Sequence, residues 1–321
     1  TERDSAGWFA LTPNRSRHPP LFAPARKNPM YDPTAGPAFS RAASIDEEAA
    51  AHPYVAWELG KQNKSSFRPR AEGKVRDWNE AAFRQLRAIY YGMISEVDSQ
   101  VGRVLSGIKA SGQWDDTIVV LTSDHAEMMG DHHMLGKGGF FEGSYHLPLI
   151  IRAPGRNSAA GQTIERFTEA VDIFPTLLEL MDGPVQPHLD GRSLAPFLDG
   201  QTPDRWRDAA HWEFDFRSVG EDIAERHFGL KSQQCNLSVI RSERFKYVHF
   251  GGGLPPLLFD LRVDPGETRN LAGDPGFASV RLEMAEALLA WRAEHLDQSL
   301  ALARLAEHGV QGSYARLPPR G

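Results

Sequence analysis

Between Trp78 and Lys109 the apolar residues Ile89, Met93, Val97, Val101, Val104 and Ile108 recur every three or four positions. That period draws one stripe along a long α-helix, and Gly112 stands where it should stop. Just beyond, Ile118-Val119-Val120-Leu121 is apolar and β-branched with no alternation. Such a run predicts a strand buried on both faces, as in the middle of a parallel sheet. Leu147 to Ile151 is a second run of this kind, and Ala170 to Met181 has a helical period with Asp172 opening it and Pro175 in its first turn. Helix, strand, strand and helix in that order predict α/β layers.

Before this stretch, Trp8-Phe9-Ala10-Leu11 predicts a buried strand, and Thr12 to Pro33 a loop, because its prolines repeatedly deny backbone hydrogen bonds. Residues 34–76 alternate Ala-rich stretches, suited to short helices, with polar segments such as KQNKSSFRPR, and read as a surface excursion. The pattern changes near Gly200. Ala209 to Phe214, Leu237 to Arg241 and Phe245 to Phe250 are short strand-like runs, the last two joined by Ser242-Glu243-Arg244 as in a hairpin. Phe277 to His295 is helical, with Leu282, Ala285, Leu288, Leu289 and Trp291 spaced to face that sheet. The organisation expected is a main α/β domain over residues 1–200, a small domain of antiparallel sheet plus helix over 201–296, and a C-terminal arm over 297–321. The arm reads as an interface, and a homo-oligomer is expected.

Composition narrows the function. A chain of 321 residues that is 41% hydrophobic can bury a substantial core, and its net charge of -6 leaves no basic footprint for nucleic acid. A small anionic substrate held by a few local cations remains open. Cys235 is the only cysteine, so neither an internal disulfide nor a thiolate metal cluster can form, and a buried, inert thiol is expected. No apolar run reaches the ~20 residues of a membrane helix, and no signal-peptide pattern stands at the start. A cytoplasmic protein without a membrane partner is expected. The chain begins at Thr1 and soon enters the Trp8 run, so further sequence is expected upstream.

The segment TSDHAEMMGDHHMLGKG carries the chemistry. It follows the Ile118 run directly, and open α/β sheets bind ligands beyond the carboxyl ends of their strands. Asp124 and His125 can offer an oxygen and a nitrogen to one divalent cation if the backbone turns sharply there, although Asp124 as a helix cap is the plainer alternative. Lys137 is either a solvated loop lysine or a cation for a tetrahedral oxyanion. His132 and His133 suit surface or supporting roles better than ligation. His18, in RSRHPP, is either a loop histidine without consequence or a general acid held by rigid prolines.

SDHAEMMGDHHMLGKG resembles the C-terminal metal motif of sulfatases and their phosphonate monoester hydrolase relatives in the alkaline phosphatase superfamily. Further strings agree in order: RHPPLFAP, YYGMISEVDSQVGRVL, GQWDDTIVVLTSDH, LPLIIRAPG, VDIFPTLLEL, DGRSLAPFLDG, RSERFKYV and LFDLRVDPGETRNL. The resemblance implies an alkaline-phosphatase-like, largely parallel sheet flanked by helices, with a smaller C-terminal antiparallel sheet plus helix. It implies a metal-dependent hydrolase of sulfate, phosphonate or phosphate esters, with calcium or manganese as the divalent metal and a small anionic ester as substrate. Asp124 and His125 would ligate the metal, while Lys137 and His18 would contact the anion and the leaving group. Ala126 stands where the family usually has Gly. The family's formylglycine motif, Cys-x-Pro-x-Arg, is not present, since Cys235 precedes Asn236-Leu237-Ser238-Val239. The nucleophile and the remaining metal carboxylates are therefore expected in an N-terminal portion of the same protein. The alternative is a non-catalytic fragment or a degenerate binding and assembly module.

Overall fold

The computed structural model describes residues 8–12, 19–156, 158–186, 189–218, 220–295, 303–306 and 309–312. Residues 8–12 form no strand, and Phe9 is 78% exposed, because no strand among the described residues pairs with this run. Three short helices follow, α1 (Ile45–Ala51), α2 (Pro53–Lys61) and α3 (Lys64–Phe67). Ser44 and Glu47 cap α1 reciprocally, each side chain accepting the other's backbone N–H. His52 opens α2 by accepting the Tyr54 N–H on its ring nitrogen, with Pro53 at the first helical position.

The surface excursion expected over 34–76 is instead partly core. Tyr54, Val55, Trp57 and Leu59 are buried against Phe140, Phe216, Leu237 and Phe250. A helix of under three turns is too short to display a period, and its charged neighbours hide it: Lys61 keeps its ammonium 3.7 Å above the Trp57 ring while its stem covers apolar surface.

The long helix α4 (Glu80–Ala110) ends at Ser111 and Gly112, whose positive φ lets the Gln113 N–H return to the Ile108 carbonyl at 3.3 Å. Its first half is buried through Phe83, Leu86, Ala88 and Met93, whereas from Ile94 onward none of its residues is. Next come β1 (Val119–Thr122), α5 (Glu142–Tyr145) and β2 (Leu149–Arg152). The strand expected at 118–121 forms, and the described residues add no parallel neighbour to it. Among the described residues it pairs only with β2, antiparallel, from Val119 opposite Arg152 to Thr122 opposite Leu149. Its apolar side chains have little to cover them, with Leu121 39% and Ile150 61% exposed.

Helix α6 (Ile173–Leu180) is entered through a 3-10 turn at Ala170–Asp172, and α7 (Ala195–Leu198) follows. Asp172 is fully buried. It accepts the Glu169 and Arg192 N–H groups and a bidentate pair from Arg207, so its charge is matched on every side. Gly191 lies so close that a Cβ would sit 1.9 Å from the Val171 carbonyl oxygen, which only glycine permits.

The remaining elements are β3 (Ala209–Asp215), α8 (Ile223–Phe228), β4 (Asn236–Ser242), β5 (Phe245–Phe250), β6 (Leu257–Asp260), α9 (Ala278–His295) and the hairpin β7 (Ala303–Ala306) with β8 (Gly309–Gly312). The rest of the expected arm lies outside the described residues. Strands β3 to β6 form an antiparallel meander, and β4 and β5 pair as expected, Leu237 opposite Phe250. Strand period divides the side chains between two cores. Ile240, Tyr247 and Leu258 meet Met284 and Leu288 of α9, while Leu237, Val239, Val248, Phe250 and Leu257 meet Tyr54, Trp57, Met128 and Phe140.

Lys246 lies on the second of these faces and is completely buried. Its ammonium donates to the Phe140 carbonyl at 2.8 Å, lies 3.3 Å from Glu142 and pairs with buried Glu267, which itself accepts the Glu142 N–H at 2.7 Å. This pins the sheet to the segment after Gly138. Replacing Lys246 by Met should strand the Glu267 charge and lower stability by about 3–5 kcal/mol in urea unfolding of the full-length protein. A loss under ~1 kcal/mol would show that the pair does not hold this junction.

Candidate active site

The chain turns as soon as β1 ends. The Ser123 hydroxyl donates to the His125 carbonyl at 2.8 Å, and Asp124 Oδ1 accepts the His125 N–H at 3.0 Å. These local bonds offer the backbone an alternative to the strand ladder and bring two adjacent side chains to the same side. His125 Nδ1 is 2.8 Å from the Ala126 carbonyl. A carbonyl only accepts, so Nδ1 carries the proton and, in the neutral ring, Nε2 carries the lone pair. That Nε2 is 3.8 Å from Asp124 Oδ2, with the Asp124 side chain 87% and the His125 side chain 33% exposed. Burial acts to raise the Asp124 carboxyl, but the His125 ring, the local N–H groups and Lys137 outweigh it and hold the carboxyl below its ordinary value.

An oxygen and a nitrogen at this separation can be spanned by one cation with ligand bonds of about 2.2 Å, so the pair fits two neighbouring places in a divalent shell. Among the described residues no group of three or more His, Cys, Asp or Glu completes it. Lys137 joins the pair electrostatically, since its charge is felt by both Asp124 and Glu127. His18 lies outside the described residues.

What brings Lys137 back is a tightly bonded loop. The Met128 N–H donates to the Gly136 carbonyl at 2.9 Å and the Gly130 N–H to the Met134 carbonyl at 2.8 Å. Met129, His132 and His133 take positive φ here alongside Gly130 and Gly136. Such conformations cost non-glycine residues about 1–3 kcal/mol each and persist only where the surroundings over-determine them. Arg87 of α4 supplies part of that constraint, donating to the Met129 carbonyl at 3.1 Å, the Pro37 carbonyl at 3.0 Å and Asp131 at 2.9 Å. The expected surface or supporting role of His132 resolves into a buried one: its ring stacks on Phe141 at 3.6 Å and Nδ1 is 2.8 Å from Glu48. His133 Nε2 is 3.1 Å from the Ala42 carbonyl. Cys235 is buried as expected, and burial raises its thiol pKa.

Glu127 was not legible as a site residue. Its carboxylate accepts the Gly136 N–H, with the Met128 and Met129 N–H groups nearby; burial nonetheless raises its pKa to about 7, against those donors and Lys137. One acid among the many of a polar loop carries no periodic signal, and only the fold reveals which amide it meets.

Two family models match. The one described as "Sulfatase" covers residues 8–183, and "N-sulphoglucosamine sulphohydrolase, C-terminal" covers residues 130–294. The chain is 42% identical to the multifunctional alkaline phosphatase superfamily protein PehA of Trinickia caryophylli over 96% of its own length and 60% of that protein's. It also matches the solved phosphonate monoester hydrolase of Agrobacterium radiobacter at 56% identity and a TM-score of 0.88, covering 94% of this chain and 59% of that one. The phosphonate monoester hydrolase of Silicibacter pomeroyi matches at 37% identity and a TM-score of 0.84, covering 92% of this chain and 57% of that one. The chain thus spans about 60% of the length of these relatives.

The Glu48 and His132 pair gives the loop a pH dependence. Burial acts to raise the Glu48 carboxyl, but His132 and the Ala42 N–H outweigh it and leave the carboxyl below its ordinary value. A depressed folded value means stability that is present above the unfolded value, about 4.3, and lost as pH falls through the folded one. Glu48→Gln should therefore lower the urea midpoint near pH 7 and converge on the parent in acid. Parallel profiles over the whole range would contradict this.

Proposed function

Because this chain belongs to the sulfatase family, we propose that it carries the C-terminal side of an active site that hydrolyses sulfate esters or phosphonate and phosphate esters. The observation that carries the reading is the pairing of Asp124 Oδ2 with His125 Nε2 at 3.8 Å, the ring held by its bond to the Ala126 carbonyl. A divalent metal, when bound, supplies Lewis-acid stabilisation of charge on a tetrahedral centre. Asp124 and His125 would hold it. A nitrogen donor suits manganese, whereas a shell filled out by carboxylates suits calcium.

Lys137 offers an ammonium to the oxygens of the substrate anion, where charge gathers as the ester bond breaks. His18 is assigned to the leaving-group side, where a proton delivered to the departing oxygen lowers its barrier. The nucleophile, a formylglycine, is on this reading supplied by residues preceding Thr1, as are the remaining metal carboxylates. The phosphonate monoester branch is supported by the names of the solved relatives.

The test is turnover of an aryl sulfate and of phenylphosphonate by the full-length protein, with and without added divalent metal. Asp124→Ala should lower metal content and turnover together. Lys137→Ala should keep the metal and lose about 10²–10³-fold in kcat, as the removal of one charge-stabilising donor does. Unchanged metal and rate in Asp124→Ala would refute the assignment.

A further inference from the structure

Lys137 is a flexible side chain on an exposed loop position, so its usefulness depends on how its backbone is held. The holding groups lie immediately on either side. On one, Gly136 gives its N–H to the Glu127 carboxylate and its carbonyl to the Met128 N–H at 2.9 Å. On the other, Gly138 gives its N–H to the Ser144 hydroxyl at 2.9 Å. Ser144 is fully buried, and its own carbonyl accepts the Ala126 N–H at 2.9 Å, next to His125. Gln62, directly after α2, adds a third tie, exchanging bonds of 2.7 and 3.1 Å with both backbone groups of Leu135.

Gly136 has a φ of 77°, a conformation that glycine adopts freely and leaves freely. Without an acceptor for its N–H, that residue can swing, and Lys137 with it. Glu127 is two residues from His125, so its side chain ties the residue preceding Lys137 directly to the ligand pair's end of the loop.

From this geometry we propose that Glu127 is a positioning residue that acts through Lys137, setting where the ammonium stands relative to Asp124 and His125. The proposal rests on the assignment of Lys137 to the substrate anion. Glu127 itself touches neither substrate nor metal in this account. Misplacing a catalytic group by about 1 Å can cost 10²-fold, and removing a group that orients a ligand about 10–100-fold.

The experiment is a double-mutant comparison in the full-length protein, on whichever of aryl sulfate or phenylphosphonate it turns over. Glu127→Ala should lower kcat about 10–100-fold with little change in KM, while Glu127→Gln, which keeps an acceptor oxygen for Gly136, should recover most of the loss. Added to Lys137→Ala, the Glu127→Ala change should cost less than about threefold more, because the group it serves is gone. Hydrogen exchange of the peptide covering 134–140 should rise in Glu127→Ala and not in Glu127→Gln. Should the alanine variant fail to fold, Glu127→Asp keeps the charge, shortens the reach and serves in the same comparison. A full multiplicative loss in the Lys137→Ala background, or equal damage from Ala and Gln, would overturn the positioning role. Lys137→Ala as active as the parent would overturn the site reading first, and the proposal with it; exchange alone would then report whether Glu127 still holds Gly136.

Discussion

Lys137 follows Asp124 by thirteen positions, and the closure of the loop between them is the constraint on which the candidate site depends. Backbone bonds from Met128 to Gly136 and from Gly130 to Met134 fold the segment back on itself. Ser144 ties both of its ends, through Ala126 on one side and Gly138 on the other. Each bond is worth only about 1 kcal/mol net, but together they leave the loop few arrangements. A site made from neighbouring residues would need none of this. One that recruits a cation from across a loop needs all of it.

The loop is held from outside as well. Arg87 reaches it from α4, Gln62 from the end of α2 and Glu48 from α1, and the aromatic pair Phe140 and Phe141 anchors its exit in the core shared with the antiparallel sheet. Lys246 continues the chain of ties by binding the Phe140 carbonyl. The sheet is therefore part of what positions the site although none of its residues is a candidate ligand. Buried charges at Asp172, Lys246 and Glu267 are each matched by a counter-charge, as their desolvation demands.

Much of this was legible in the sequence. The helix α4, the β4–β5 hairpin and the helix α9 follow from period and turn chemistry alone, and the sequence places Asp124 and His125 directly after a strand, where they stand. The failures have physical causes. The Trp8 to Leu11 run has the composition of a strand but no partner among the described residues, and α2 is too short for its buried face to show as a period. β1 forms as its composition predicts, and among the described residues its one partner is β2. Glu127 was invisible because its bond to the Gly136 amide, nine positions on, depends on how the loop closes, which no pattern of residue types encodes.

The central claim is that Asp124 and His125 hold a divalent metal through an oxygen and the Nε2 nitrogen. Anomalous diffraction from crystals of the full-length protein soaked in manganese tests it most directly. The account predicts a peak within about 2.3 Å of both an Asp124 carboxylate oxygen and His125 Nε2, with Nδ1 still bonded to the Ala126 carbonyl. A manganese site elsewhere, with His125 Nε2 free of it, would contradict the account.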